Sequence, residues 1–330
     1  MLSSSEYGAL AGNLPDHTAE KYYITTAISY TNGNPHIGHA YEFITADALA
    51  RYHRVLGYDT FFVTGTDEHG QKVAASAEKA GLDPLTHCDG YVNAFMDLDK
   101  KLKISYSDFV RTTEDRHVLT SQKLWEMCAE NGDIYLGAYE GWYNEREEVF
   151  VTQADAEAAE FKDVGSGLPL KKVKEESYFF KMSNYADRLL AHIQENPSFI
   201  EPEQFRNNII GRITKEGLKD LSISRTSFNW GIPVPKGFDQ RHVMYVWFDA
   251  LSNYLTGVDA LNVNNATPSA VNPGHPLSEY WPASTHIIGK DIIWFHCVIW
   301  PCMLLSAGVA LPGRYNAALW WEMSRYSMVS

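Results

Sequence analysis

Two histidines, His36 and His39, flank Ile37 and Gly38 where a loop gives way to a helical pattern. Imidazoles at a helix start suit an anion, because the first-turn N–H groups lack intrahelical partners and the dipole is positive there. Gly38 leaves room for a ligand to approach the backbone. The same spacing equally describes a structural histidine pair. A second polar cluster, Thr64-Gly65-Thr66-Asp67-Glu68-His69-Gly70, adds two carboxylates and an imidazole. Asp67 reads either as a ligand-binding carboxylate or as the N-cap of a helix through Val73, Ala77 and Ala80. Three consecutive side chains cannot all face one ion, so no metal is expected here.

The flanking elements place both clusters together. Residues 22–28 are aromatic and β-branched and read as a buried strand, and Thr31-Asn32-Gly33-Asn34 reads as a loop. Apolar residues then recur at helical spacing at Ile44, Ala48, Tyr52 and Val55, with Gly57 as the C′ terminator. Thr60-Phe61-Phe62-Val63 is a second strand. Strand, helix and strand at this spacing form a βαβ unit with parallel strands and a right-handed crossover. Both clusters then lie at strand carboxyl ends, where open α/β sheets bind ligands.

Two aromatic stripes stand in the second half. Trp247, Ala250, Leu251 and Tyr254 share one face of a helix, as do Ile292, His296 and Trp300. Ordinary core packing and a ligand slot both explain such stripes.

Several blocks together resemble the methionyl-tRNA synthetase family of class I aminoacyl-tRNA synthetases. They are Ala27-Ile28-Ser29-Tyr30-Thr31-Asn32-Gly33, His36-Ile37-Gly38-His39 and the cluster from Thr64 to Gly70. Leu221-Ser222-Ile223-Ser224-Arg225, Asn229-Trp230-Gly231-Ile232-Pro233, Tyr245-Val246-Trp247-Phe248-Asp249-Ala250-Leu251 and Ile288-Gly289-Lys290-Asp291-Ile292 follow in the family order. The likeness covers residues 20–312. The His-Ile-Gly-His signature marks only the class, and the later blocks point to the methionine enzymes.

The resemblance implies an α/β fold: a doubly wound parallel, Rossmann-like sheet with an inserted α+β connecting-peptide domain. Residues 1–20 would be an N-terminal extension, 21–132 and 221–312 the two halves of the catalytic domain, and 133–220 the insertion. Residues 313–330 would be a divergent tail. The implied activity is methionine–tRNA ligation, in which ATP activates methionine and the methionyl group passes to the terminal adenosine of tRNA(Met).

The resemblance also implies roles. His36 and His39 would meet the phosphates and the developing charge, and Asp67 the methionine ammonium. Ile28, Tyr30, Trp247, Ala250, Leu251, Tyr254, Ile292, His296 and Trp300 would line the side-chain slot. Gly38, Gly289 and Asp291 would serve ATP, Gly289 by close approach of adenosine and Asp291 at the ribose hydroxyls. Lys290 is a further candidate, as is Arg225, for which a structural ion pair is almost as good an explanation. Mg²⁺ would arrive with ATP, held mainly by phosphates and water. Zinc is not expected, as in the zinc-free branch of the family.

Composition agrees with a soluble intracellular enzyme of the cytoplasm or an organelle matrix. The 330 residues are 45% hydrophobic and 21% charged, with net charge −13. That charge steers a polyanion poorly, and the basic runs Lys100-Lys101-Leu102-Lys103 and Lys171-Lys172-Val173-Lys174 read as solvated surface. The four cysteines form no C-x-x-C pair, and the polar N-terminus has no targeting pattern. Residues 292–311 lack Asp, Glu, Lys and Arg, but His296, Pro301, Ser306 and Gly308 favour a buried helix over a membrane span. Residues 262–276 read as a surface loop.

The chain departs from the family after Pro312, where no K-M-S-K-S loop follows and the anticodon-binding region is absent. Lys181-Met182-Ser183-Asn184 looks like that loop but lies too early. Two readings stand: a methionine–tRNA ligase core, or a non-catalytic remnant that binds methionine or ATP without useful turnover.

Overall fold

The computed structural model describes residues 20–144, 149–151, 153–264 and 276–318. Nearly all of the expected extension 1–20, most of loop 262–276 and the end of segment 313–330 lie outside the described residues.

The βαβ unit consists of β1 (Lys21–Thr26), α1 (Ile37–Val55) and β3 (Asp59–Asp67). β1 and β3 pair in parallel, with Ile24 opposite Phe62. The expected strand 22–28 breaks after Thr26, and β2 (Ser29–Tyr30) resumes beside β3 with Tyr30 opposite Asp67. Gly57 has φ 92° and follows the helix as its C′ residue. The sheet runs β4 (Asp108–Arg111), β3, β1 with β2, β12 (Thr285–Gly289), β13 (Tyr315–Ala318) and β8 (Ile200–Glu201). All its pairs are parallel. Strand order reverses direction between β1 and β12, which makes their carboxyl ends the topological switch point. β8 falls within the segment expected to be inserted, and β13 within the expected tail.

The face that α1 buries differs from the expected stripe. Ala40, Phe43, Ala46, Asp47 and Ala50 face the sheet, whereas Tyr52 is 58% and Val55 74% exposed, and Ile44 and Ala48 are exposed too. Small alanines bring the helix close to Ile24, Phe62 and Ile287. The outer face carries larger apolar residues at the same period, so periodicity favoured the wrong side. Buried Asp47 is satisfied by the Ser105 N–H at 2.8 Å and by Arg51 at 2.7 Å.

Gly65 on β3 is required by packing, since a Cβ there would lie 2.0 Å from the Val110 carbonyl oxygen on β4. Three helices follow along this half: α2 (Gln71–Ala80), α3 (Pro84–Leu102) and α4 (Asp115–Glu130). The inserted sheet is antiparallel, ordered β6 (Val149–Val151), β5 (Ile134–Asn144), β7 (Lys171–Phe180) and β9 (Leu221–Ser222). The short strands expected at 134–136 and 141–143 are one strand, because β7 pairs along its length from Ile134 to Tyr143. The helices α5 (Gln153–Ala158), α6 (Ala186–Glu195) and α7 (Glu203–Glu216) complete this region. The antiparallel pair β10 (Ser224–Arg225) and β11 (Val243–Met244) leads back toward the parallel sheet.

The stripe expected on one helix at 247–254 spans two, α8 (Val246–Leu251) and α9 (Asn253–Thr256). The stretch after β12 begins as a tight turn at Lys290–Ile292, widens to a π-helical turn at Phe295–Ile299 and ends in α10 (Trp300–Ala307). It is packed into the main core. Among the described residues no helix is long and apolar enough to cross a membrane.

Candidate active site

The carboxyl ends of β1, β2, β3 and β12 meet α8 and the 291–296 turns around a cavity of about 260 Å³. One end is polar. Buried Asp67 closes β3, and its carbonyl accepts from the Thr31 N–H at 3.0 Å. Capping does not account for this residue, because Gly70 is the N-cap of α2. Its neighbours diverge: Glu68 takes two bonds from Arg111 at 2.8 and 2.9 Å, and His69 contacts Asp249 at 2.7 Å. Lys72, from the first turn of α2, and exposed Asp291 complete the polar lining.

The other end is aromatic. Trp247 and Phe295 stack with centroids 3.7 Å apart and planes 7° from parallel. His296 donates through Nδ1 to the Ile292 carbonyl at 2.9 Å, so its Nε2 accepts the Tyr254 hydroxyl proton at 2.7 Å. Burial depresses the His296 pKa to about 4 and raises that of Tyr254, so both are uncharged. The slot therefore offers apolar surface with one neutral hydrogen-bonded pair, matched to an uncharged, polarizable side chain.

The histidine pair stands at the start of α1, outside the cavity lining. His36 Nδ1 accepts from the Gly38 N–H and His39 Nδ1 from the His36 N–H, both at 3.1 Å. The rings stack with centroids 3.9 Å apart. Reciprocal capping fixes the tautomers: with each Nδ1 accepting, each neutral ring carries its proton on Nε2. Burial, reinforced by His36, lowers the His39 pKa to about 4. The pair is thus both a helix cap and two N–H donors. Half-buried Glu42, one turn further along α1, links this start to the cavity by accepting from the Ala27 N–H at 2.8 Å.

Ile28, Tyr30, Asp67, Trp247, Ala250 and Leu251 line the cavity, with Tyr254, Asp291, Ile292 and His296. Trp300 does not. It is fully buried behind Tyr254, centroids 6.1 Å apart, because the π-helical turn rotates it off the face of Ile292 and His296. His36, Gly38, His39, Gly289 and Lys290 are not among the residues that line the cavity. A Cβ on Gly289 would meet nothing nearer than Asp291 Oδ2 at 3.7 Å, so internal packing does not demand glycine. Arg225 lies elsewhere, buried between β10 and Tyr245, with its Nη1 donating to Ser222 Oγ at 2.9 Å and the Ser224 carbonyl at 2.7 Å. The Lys181-Met182-Ser183-Asn184 segment is structural too: Met182 is in the core and Asn184 donates to Asp133 at 3.1 Å.

Sequence reasoning missed Phe295, Lys72 and Glu42. Phe295 stands three residues after Ile292, a spacing that shares a helix face with Ile292 and His296, so the signal for it was present. Glu42 is one helical turn beyond His39, which was the available signal.

A family model described as tRNA synthetases class I (M) matches residues 22–160 and 164–329. The methionine–tRNA ligase of Halalkalibacterium halodurans is 47% identical over 311 residues, covering 92% of this chain and 46% of that protein. That of Brucella suis is 50% identical over 300 residues, covering 90% and 56%. A solved structure of Mycobacterium tuberculosis methionyl-tRNA synthetase in complex with methionyl-adenylate aligns with TM-score 0.81 at 45% identity, over 90% of this chain and 57% of that one. The chain spans about half the length of the curated relatives it matches.

Proposed function

We propose that this chain, which belongs to the class I (M) family of tRNA synthetases, activates methionine with ATP and passes it to tRNA. In the first step a methionine carboxylate oxygen bonds to the α-phosphorus of ATP, and pyrophosphate leaves with the electrons of the broken P–O bond. In the second, the 2′-hydroxyl of the terminal adenosine attacks the acyl carbon and AMP leaves. Little bond chemistry falls to the protein, so positioning and charge stabilisation carry the rate.

The observation that carries this reading is one cavity joining a carboxylate, Asp67, to an aromatic slot, with its lining residue Ala27 bonded to Glu42 of the histidine-capped helix. Asp67 takes the methionine ammonium in a charge-assisted bond. Trp247, Phe295, Tyr254 and His296 enclose the thioether, each sulfur–ring contact being worth ~0.3–1.5 kcal/mol. The Nε2–H groups of His36 and His39 donate to the phosphates. Asp291 accepts from the ribose hydroxyls, and Mg²⁺ enters with the triphosphate. The reported methionyl-adenylate complex of a 45% identical relative supports both halves of the cavity's assignment.

The test is methionine-dependent ATP–pyrophosphate exchange on the 330-residue chain, with leucine and isoleucine as controls. Exchange with methionine alone is expected. Asp67→Ala is expected to lose it by more than about 100-fold with an unchanged melting temperature. Normal exchange in that variant would remove Asp67 from the site. Methionine binding without exchange would instead favour a binding-only chain.

A further inference from the structure

The cavity's charge is lopsided for the substrate it is read to hold. Two carboxylates, Asp67 and Asp291, line it, and among its described lining residues Lys72 is the one cation. The imidazoles do not offset these acids, since His296 and His39 are both held neutral. An amino acid brings an ammonium, which Asp67 suits, and a carboxylate, which Asp67 and Asp291 repel. That carboxylate must also approach a triphosphate.

The position of Lys72 is not explained by its helix. It is the second residue of α2, whose N-cap, Gly70, has φ 105° and makes no side-chain cap. A cation in a first turn opposes the helix dipole, which favours Asp or Glu there. Its half-buried side chain instead follows the cavity wall, with Nζ 5.5 Å from the centroid of the Tyr30 ring. Tyr30 stands opposite Asp67 across the β2–β3 pair. Lys72 and Asp67, five positions apart in one strand–loop–helix segment, thus reach the same polar end of the cavity.

We propose that Lys72 binds the α-carboxylate of the amino-acid substrate, so that Asp67 and Lys72 grip the two charges of the zwitterion. The inference rests on reading the cavity as the amino-acid site. During activation Lys72 transfers no proton. Its charge offsets the repulsion between carboxylate and α-phosphate while the new O–P bond forms and the bond to pyrophosphate breaks.

The experiment compares methionine with methioninol, which keeps the ammonium and thioether but replaces the carboxylate by a hydroxymethyl group. Affinities for both are measured by calorimetry on the parent chain, Lys72→Met and Lys72→Arg, with ATP titrated separately. Lys72→Met is expected to weaken methionine about 10- to 100-fold and methioninol less than about threefold. Lys72→Arg is expected to restore most of the methionine affinity. Retained methioninol binding also reports that the variant is folded. Unchanged methionine affinity, or equal losses for both ligands, would overturn the proposal. So would weakened ATP binding with methionine unaffected, which would give the charge to the phosphates. A parent chain that binds neither amino-acid ligand would instead sink the underlying reading of the cavity.

Discussion

Glu42 and His39 each make a hydrogen bond that holds the start of α1, and burial shifts the pKa of each, raised for Glu42 and depressed for His39. Burial pushes the Glu42 carboxyl up to about 8, with Asp291 adding to the shift and the Ala27 N–H opposing it. At neutral pH the group is mostly protonated, so one oxygen accepts from Ala27 while the other offers an O–H beside the cavity. The folded chain therefore holds a proton that the unfolded chain releases above its ordinary pKa of 4.5. That contribution is full below 4.5 and is lost as pH rises to about 8. Glu42→Gln, which mimics the protonated form, should match the parent's melting temperature near pH 5 and exceed it near pH 8. An equal difference at both pH values would mean that Glu42 is ionised in the fold. His39 poses a separation problem, because its Nδ1 caps His36 while its Nε2–H is the proposed donor. His39→Gln keeps a capping acceptor, whereas His39→Ala removes it at a cost of about 1 kcal/mol. Both should slow activation by ~10²–10³-fold with smaller losses of methionine affinity. Parent-like exchange rates in both variants would confine His39 to capping.

Between elements, one buried joint ties the two walls of the cavity. Asp249 on α8 accepts from His69 Nδ1 at 2.7 Å and from His117 Nε2 at 2.8 Å, and His117 Nδ1 meets Thr256 Oγ1 at 3.0 Å. Burial works against the Asp249 carboxylate, yet the contacts with His69 and His117 outweigh it and hold the group below its usual range. The helix bearing Trp247, Ala250 and Leu251 is thereby fixed to the loop that follows Asp67. Removing one partner of such a buried pair costs ~3–5 kcal/mol. Asp249→Ala should lose about that much in urea unfolding and weaken methionine binding. A loss of stability without any change in affinity would show that the walls hold their spacing independently. The sequence carried Asp249 inside a matched block, but nothing in it announced two histidine partners 132 and 180 positions away. The same limit explains what else was hidden. The βαβ unit was legible because its strands are strongly apolar, and Asp67 ends β3 where that reading put it. The buried side of α1 was not, since its alanines are weaker signals than the exposed Ile44, Tyr52 and Val55. Trp300 left the slot because a π-helical turn shifts the period before it, and local pattern does not encode that shift.

For the whole molecule, the question is whether the inserted antiparallel sheet and the parallel sheet behave as one body. Their packing is continuous: the largest apolar cluster includes Leu124 and Trp125 from α4, Phe180 from β7, Phe248 from α8 and Tyr315 from β13. Trp125 is at the junction. Fully buried, it meets Tyr178 of β7 edge-on at 5.7 Å and Phe248 of α8 at 5.3 Å. Its Nε1–H has no hydrogen-bond partner among the described residues, so it is retained by its rings and not by a polar contact. A shared core of this kind predicts cooperative unfolding with coincident transitions. Hydrogen exchange along a denaturant series should therefore expose β5–β7 amides and β1–β3 amides together. Trp125→Ala should cost ~3–5 kcal/mol and move both sets by the same amount, while Trp125→Phe, which keeps an aromatic ring and removes the unpaired donor, should cost less. Methionine affinity should fall in the alanine variant as well, because Phe248 sits beside Trp247 on the helix that walls the slot. Earlier loss of protection in β5–β7, with β1–β3 still closed, would instead mean that the inserted sheet is a separate folding unit. The junction at Trp125 would then be a docking contact between two units.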